Sequence, residues 1–254
     1  KSLSTVIMLH GSMDTATHDK NKDGFADMPN ANQINIANKW LWQNRDGVQL
    51  RWGWKFVNEN RLGGKIGYAE DLYEQMMRDP LNSNTYGSKI HNQNFNAYTK
   101  LGIPVGYERT FTGDPDDAVQ NNIAMVLDYD NYATDSYFGI NKVDVEEQTV
   151  RFNATYAHYF TQRSSLNAGV SAYIRMTDNE YLQRNASTNE LWNPEDEALL
   201  VEPGIFAEYT YNIEDKFSLV MGLRGDYAMV DGEYYYNAKP EPLITPRSHI
   251  KWNI

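Results

Sequence analysis

The stretch TVRFNATYAHYFTQRSSLNAGVSAYIRMT, residues 149–177, decides the fold class of this chain. Every second side chain belongs to one mainly apolar set: Val150, Phe152, Ala154, Tyr156, His158 and Phe160, then Leu166, Ala168, Val170, Ala172, Ile174 and Met176. The intervening set is mainly polar and includes Arg151, Asn153 and Arg175. A period of two indicates a β-strand with two different faces. Because QRSS at 162–165 reads as a tight turn, the stretch predicts an antiparallel hairpin.

The same period of two recurs along the rest of the chain. It predicts about ten strands in total, the others lying at 2–10, 33–43, 48–56, 94–105, 120–130, 202–213, 216–230 and 244–254. No Pro-rich or Ser-rich linker divides them, so we expect residues 1–254 to form a single all-β domain.

Composition excludes several classes of protein. The chain has no cysteine, which excludes disulfides and thiolate metal sites, and its net charge of -11 argues against nucleic acid as a partner. The sequence lacks the G-x-S-x-G, P-loop and H-E-x-x-H motifs, and its acidic pairs fall in predicted connections. We therefore expect no enzyme. Mean hydropathy is -0.66, but a membrane β-strand hides its apolar residues in alternation, so a low mean does not indicate a soluble protein.

Long and short connections alternate along the chain. The short ones are NRDG at 44–47, TQRSS at 161–165 and NIEDK at 212–216, and only 106–118 is longer than this order requires. The long ones lie at 14–32, 61–92, 131–148, 179–200 and 231–243. This order is typical of outer-membrane barrels, whose long loops are extracellular. It predicts an antiparallel up-and-down transmembrane β-barrel segment, with the five long connections at one end.

The stretch DKNKDGFAD, residues 19–27, begins like an EF-hand calcium loop. The calcium interpretation makes Asp19, Asn21, Asp23 and Asp27 the ligands, together with the carbonyl of Phe25. Position twelve of the loop is Asn30 instead of the bidentate Glu, and Pro29 blocks the helix that would follow, so the stretch is no EF-hand. The alternative is an Asx-rich turn without a metal, since Asp, Asn and Gly all favour turns.

The polar face of the strands carries a set of cations that would point into a barrel lumen. If the turn at 162–164 pairs residues whose numbers sum to 326, Arg151 lies directly opposite Arg175, an arrangement that is destabilising unless compensated. Either internal acids such as Asp226 and Glu202 compensate the charges, or the site binds an anionic small-molecule substrate. The candidate substrate-binding residues are Lys55, Arg151, Arg175, Arg224 and Arg247.

Several segments resemble the barrel of TonB-dependent outer-membrane receptors. They are HDKNKDGFADMP at 18–29, NKWLWQNRDGVQLRWGWKF at 38–56, NAYTKLGIPVG at 96–106, EPGIFAEYTYNIEDKFSLVMGLRGDY at 202–227 and TPRSHIKWNI at 245–254. The resemblance implies energy-coupled uptake of a scarce solute across the outer membrane: an iron chelate, a cobalamin-type cofactor or a small glycan. Receptors of this family form plugged barrels of about 22 strands.

With about ten strands, the chain is therefore expected to be an internal part of such a barrel. No plug domain is visible in it, so contact with TonB is implied only for the full-length parent. The alternative function is a soluble or surface-attached β-sheet binding module stapled by calcium. Detergent dependence separates the two, because a membrane barrel exposes its apolar face to lipid and a soluble sheet buries it.

Overall fold

The computed structural model describes residues 1–78, 85–111, 118–185, 187–188, 190–213, 216–232 and 239–253. These residues are almost entirely β-strand. The strands are β1 Ser2–Asp14, β2 Asn30–Gln43, β3 Gln49–Gly64, β4 Gly87–Arg109, β5 Val119–Phe138, β6 Asn141–Thr161, β7 Ser164–Arg184, β8 Leu191–Trp192, β9 Glu195–Ile213, β10 Phe217–Gly232 and β11 Glu241–Trp252. A 3-10 helix at Glu70–Leu72 and the short helix α1 at Tyr73–Arg78 lie between β3 and β4. Across the described residues, none of the helices has the length and apolar character needed to cross a membrane.

The strands form one antiparallel sheet in up-and-down order. Neighbours in the chain are neighbours in the sheet, from β1 through β7 and then β9, β10 and β11, while β8 pairs only with the end of β7. Each connection therefore reverses direction, and the connections fall alternately at the two ends of the sheet. The turn at 44–48 lies at the end opposite the 15–29 loop, as the sequence predicts.

Two predicted loop boundaries are wrong. The segment 131–148 is not a long loop, because β5 continues to Phe138 and β6 starts at Asn141, leaving a two-residue turn in which Gly139 has φ 61°. The 179–200 connection is likewise shortened, since β7 runs to Arg184 and β9 starts at Glu195. Both faces of these strand ends carry polar side chains, so the apolar alternation that marks a strand is missing there. The predicted connections 61–92, 106–118, 179–200 and 231–243 also include residues outside the described ranges.

The predicted pairing of the β6–β7 hairpin is wrong by two residues. Arg151 lies opposite Tyr173, and Arg175 lies opposite Thr149, so paired numbers sum to 324. The ladder is regular up to Tyr159–Ser165 and then shifts to Thr161–Ser164, which leaves Phe160 as an extra residue in a bulge. A change of two keeps every side chain on its predicted face. Arg151 and Arg175 are therefore diagonal neighbours, about 7–8 Å apart, instead of directly opposed.

The sheet has an apolar outer face with nothing packed over most of it. Outer side chains on successive strands remain 37–66% exposed, among them Trp54, Phe95, Leu127, Phe152, Val170, Ile205 and Met221. In the described residues the buried hydrophobic side chains are only Met76, Tyr137 and Ala157. A soluble β-sandwich of this length would bury one of its faces as a core. The outer face therefore suits a lipid environment.

The height of the apolar band fits a membrane. On β6 the band extends from Val150 to Phe160, ten residue steps of about 3.3 Å, or roughly 33 Å along the strand. At a strand tilt of about 40° this is roughly 25 Å along the membrane normal, the height of the apolar band on outer-membrane barrels. Residues 141–149 of β6 extend beyond it on the side of the long loops. The sheet therefore rises above the band as a polar wall.

Candidate functional site

The polar face opposite the apolar band brings Arg151 into a cluster built by four neighbouring strands, β4 to β7. Arg151 on β6 pairs directly with Asp128 on β5 and with Tyr173 on β7, so the three side chains share one face. Its Nη1 donates to Oδ1 of Asp128 at 2.7 Å, and its guanidinium carbon lies 5.7 Å from the centre of the Tyr173 ring. Asn96 on β4 donates to the other Asp128 oxygen at 2.9 Å. Asp128 is thus held between an amide and a guanidinium.

Arg175 lies two residues from Tyr173 on β7, on the side of the long loops. It makes no ion pair within the described part of the chain. Its direct partners are Thr149 on β6 and Leu200 on β9. Glu202 lies opposite Tyr173 and so only diagonal to Arg175, and it forms no ion pair with it. Arg175 is therefore a cation without a paired carboxylate, on the same face as Arg151.

A second cluster surrounds Gly204. Arg224 on β10 donates through Nε to Asp226 at 2.7 Å and through Nη2 to the Ser171 hydroxyl at 2.9 Å. The Asp226 side chain is only 5% exposed, whereas that of Arg224 is 40% exposed. Gly204 on β9 lies between these side chains, because it pairs with Asp226 on β10 and with Ser171 on β7. A Cβ at this position would lie 2.2 Å from Oδ1 of Asp226, so the cluster requires glycine here.

The remaining two predicted cations lie elsewhere on this face. Arg247 on β11 forms an ion pair with Glu208 on β9. Lys55 on β3 is in the same cross-strand row as Arg175, but four strand spacings separate them, about 19 Å. The structure therefore brings Arg151, Arg175 and Arg224 to one region and leaves Lys55 apart from them.

Of the two explanations offered for these cations, compensation applies to three. Arg151, Arg224 and Arg247 each have an acidic partner, and Asp226 is the acid that the sequence correctly assigned this role. Glu202 does not play it. The Arg151–Asp128 and Arg247–Glu208 pairs are partly exposed on both sides, and such pairs contribute only about 0–1 kcal/mol each. These pairs fix the positions of side chains on this face more than they stabilise the folded sheet.

The alternation pattern missed Asp128, Asn96 and Tyr173 as members of the cluster. The alternation does show that Asp128 faces the lumen. Met125, Leu127 and Tyr129 define the apolar face of β5, so the even-numbered Asp128 lies on the opposite face. Alternation within one strand does not determine the register between neighbouring strands, and the β5–β6 register is what places Asp128 beside Arg151.

The 19–27 loop adopts the Asx-turn geometry that was the alternative to a calcium site. Asp19 accepts hydrogen bonds from the backbone amides of Asp23 at 3.1 Å and Gly24 at 3.0 Å. Asp23 accepts one from Phe25 at 2.9 Å, and Asp27 accepts one from Lys20 at 2.9 Å. Among the described residues, no group of three or more His, Cys, Asp or Glu side chains is arranged to hold a metal ion. The calcium site remains a prediction.

Comparison with solved structures supports the fold. The chain is similar to the copper transporter OprC, with a TM-score of 0.63 at 10% identity, over 99% of this chain and 38% of that one. It is similar to the siderophore receptor PiuA from Acinetobacter baumannii, with a TM-score of 0.60 at 11% identity, over 98% of this chain and 42% of that one. The chain thus spans well under half the length of either.

Comparison with protein families is more specific. No curated protein sequence matches the chain. The model of the outer membrane protein beta-barrel family matches residues 96–242, more than half of the 254 residues. The all-β up-and-down fold and the outer-membrane location are confirmed, and the similarity to the folds of OprC and PiuA agrees with the resemblance to a receptor barrel. The exposed apolar band and the cluster-lined opposite face are therefore the lipid side and the lumen side of a barrel wall, and the chain belongs to the outer membrane protein beta-barrel family.

Proposed function

We propose that this chain forms part of the wall of an outer-membrane receptor that takes up a scarce small solute with a negative charge. The observation that carries the proposal is Arg175, a lumen-facing cation without a carboxylate partner in the described residues and diagonal to a second cation, Arg151. In an otherwise acidic protein of net charge -11, Arg175 adds a positive charge that no carboxylate pairs with in the described residues, next to Arg151, whose charge Asp128 compensates. An anionic ligand such as an iron chelate would complete the ion pairing.

Two further features support this function. OprC is described as a copper transporter and PiuA as a siderophore receptor, and the barrel folds of both match this wall. The Tyr173 ring beside Arg151 offers a flat surface that packs against a ligand, with the guanidinium held above it. The proposed role is transport and requires no catalytic group. Contact with TonB belongs to the full-length parent.

Binding to the full-length receptor tests the proposal. Replacing Arg151 and Arg175 with Gln should weaken binding of a ferric citrate complex by about fivefold to tenfold at low salt, and by less than twofold at about 0.5 M salt, because salt screens exposed charges. Binding of neutral cyanocobalamin serves as the reference for charge. Arg163→Gln, in the turn at the opposite end of the sheet, is the matched control.

A second variant distinguishes anion binding from simple charge compensation. Asp128→Asn removes the carboxylate that holds Arg151 and should strengthen binding of the ferric citrate complex. If the cations serve only the internal ion-pair network, Asp128→Asn destabilises the barrel without any gain in binding, and the double Gln variant binds equally at both salt concentrations. That result would refute the proposal.

A further inference from the structure

The lipid side of the wall contains an apolar groove along β4. Ala97 and Thr99 are its small floor residues. On one side Ala97 pairs with Trp54 and Thr99 with Trp52, and on the other side they pair with Tyr129 and Leu127. Two large side chains therefore stand on each side of the small side chains of Ala97 and Thr99. The groove that these residues line has a volume of about 660 Å³.

The dimensions of the groove suit one hydrocarbon chain. The backbones of β3 and β5, which carry the flanks, are two strand spacings apart, about 9.6 Å. Phe95, two residues further along β4, also lines the groove, and its ring centre lies 6.4 Å from that of Tyr129. Its outer side is open, since Trp54 is 39% and Leu127 45% exposed.

A polar band lies beyond Phe95 on the same side of the wall. Oδ1 of Asn58 on β3 lies 2.9 Å from Nε2 of His91 and accepts a hydrogen bond from Nε2 of Gln93 at 3.1 Å. Gln93 is four residues from Ala97 along β4, about 13 Å. The change from apolar groove to hydrogen-bonding groups gives the site a direction, with its polar end toward the long loops.

We propose that this groove binds the acyl chain of an outer-membrane lipid, with the polar end of the lipid at the Asn58, His91 and Gln93 band. The groove is continuous with the lipid-facing band of a protein that belongs to an outer-membrane family, so hydrocarbon is the medium that fills it. The inference rests on that location and not on the solute, so it stands or falls independently of the proposed function.

The preference for a chain in the groove arises from packing. Lipid tails are as apolar as the groove, so the hydrophobic effect does not separate bound from bulk lipid. The groove instead offers van der Waals contacts on three sides of the lipid chain, and the loss of conformational freedom of that chain opposes them. We expect an enrichment of about threefold to tenfold over the rest of the band.

Photo-crosslinking tests the groove in the full-length protein. The probe is phosphatidylethanolamine with a diazirine in one acyl chain, in vesicles of phosphatidylethanolamine and phosphatidylglycerol. In the wild type, crosslinks to peptides containing residues 94–101 should exceed those to peptides containing residues 150–156 of β6 by about threefold to tenfold. Equal labelling of the two segments would show ordinary lipid contact only and would overturn the proposal, without the need for any variant.

Filling the groove provides the second measurement. The double variant Ala97→Leu and Thr99→Leu should reduce β4 labelling to the level of β6. Ala154→Leu, an equal change on the lipid side of β6, should leave β4 labelling unchanged. A folded double variant that keeps the wild-type excess would contradict the proposal.

Discussion

At the scale of single residues, Gly204 shows how close contact shapes the lumen side of the wall. A side chain there would place its Cβ 2.2 Å from Asp226, 2.8 Å from the Ser171 hydroxyl and 2.9 Å from Arg224. The Arg224–Asp226 pair therefore occupies the volume that any other residue would need. Because the Asp226 side chain is nearly buried, its displacement would leave a carboxylate without its partner.

We expect Gly204→Ala to destabilise the folded barrel by about 1–3 kcal/mol, the usual cost of overpacking a filled site. Urea unfolding in lipid vesicles measures the change. Gly102→Ala on β4 is the matched control, since a Cβ there meets nothing within 4 Å. Equal stability of the two variants would show that the cluster rearranges without cost.

At the scale of elements, the segment between β3 and β4 packs onto the lipid side of the wall, well beyond the apolar band. Tyr68 lies with its hydroxyl 2.9 Å from that of Tyr137, and the Tyr73 ring lies 4.3 Å from the Tyr137 ring. Met76 of α1 is 2% exposed. This segment falls in the predicted long connection 61–92, and its sequence contains no pattern that indicates docking.

Docking of this segment should weaken at alkaline pH. Burial raises the pKa of Tyr68 and the pKa of Tyr73 above the usual value of about 10. The docked state thus favours the protonated phenols, so its stability is fully present below about pH 10 and falls as pH rises above it. Limited proteolysis of the 65–78 segment should accelerate as the pH rises above about 10.

The double variant Tyr68→Phe and Tyr73→Phe should show a weaker pH dependence, because it lacks two of the three phenols that pack together and keeps only that of Tyr137, whose pKa burial also raises. A wild-type cleavage rate that does not rise at alkaline pH would contradict the expected dependence.

The 19–27 loop is the element for which calcium is still a prediction. Asp23→Ala should weaken calcium binding by the full-length protein in calorimetry, because Asp23 is a central ligand in that interpretation. Asp46→Ala is the control, since Asp46 belongs to another Asx turn, where Asn44 donates to it at 3.1 Å. Unchanged calcium affinity in Asp23→Ala would leave the Asx turn as the whole explanation of the motif.

At the scale of the whole molecule, alternation predicts most of the fold and little of the site. It assigns the side chains of the alternating segments between 33 and 230 to the correct faces, because the lipid side must be apolar throughout the membrane. It loses the strand ends above the membrane, where water meets both faces, and it cannot detect the bulge at Phe160 that sets the β6–β7 register. The Arg151–Tyr173 contact depends on that register, and the Arg151–Asp128 contact depends on the β5–β6 register, so both require the structure.

The assignment of the two faces predicts opposite effects for the same substitution at adjacent positions. Ala154 on β6 faces lipid in the row of Met125 and Val170, near the middle of the apolar band, whereas Asn153 faces the lumen. Ala154→Arg should destabilise the barrel in lipid vesicles by about 2–4 kcal/mol, because the guanidinium would lie in hydrocarbon. Asn153→Arg should cost less than about 1 kcal/mol, since a polar lumen admits the charge. Urea unfolding of both variants in the same vesicles makes the comparison, and a larger loss for Asn153→Arg would reverse the two faces.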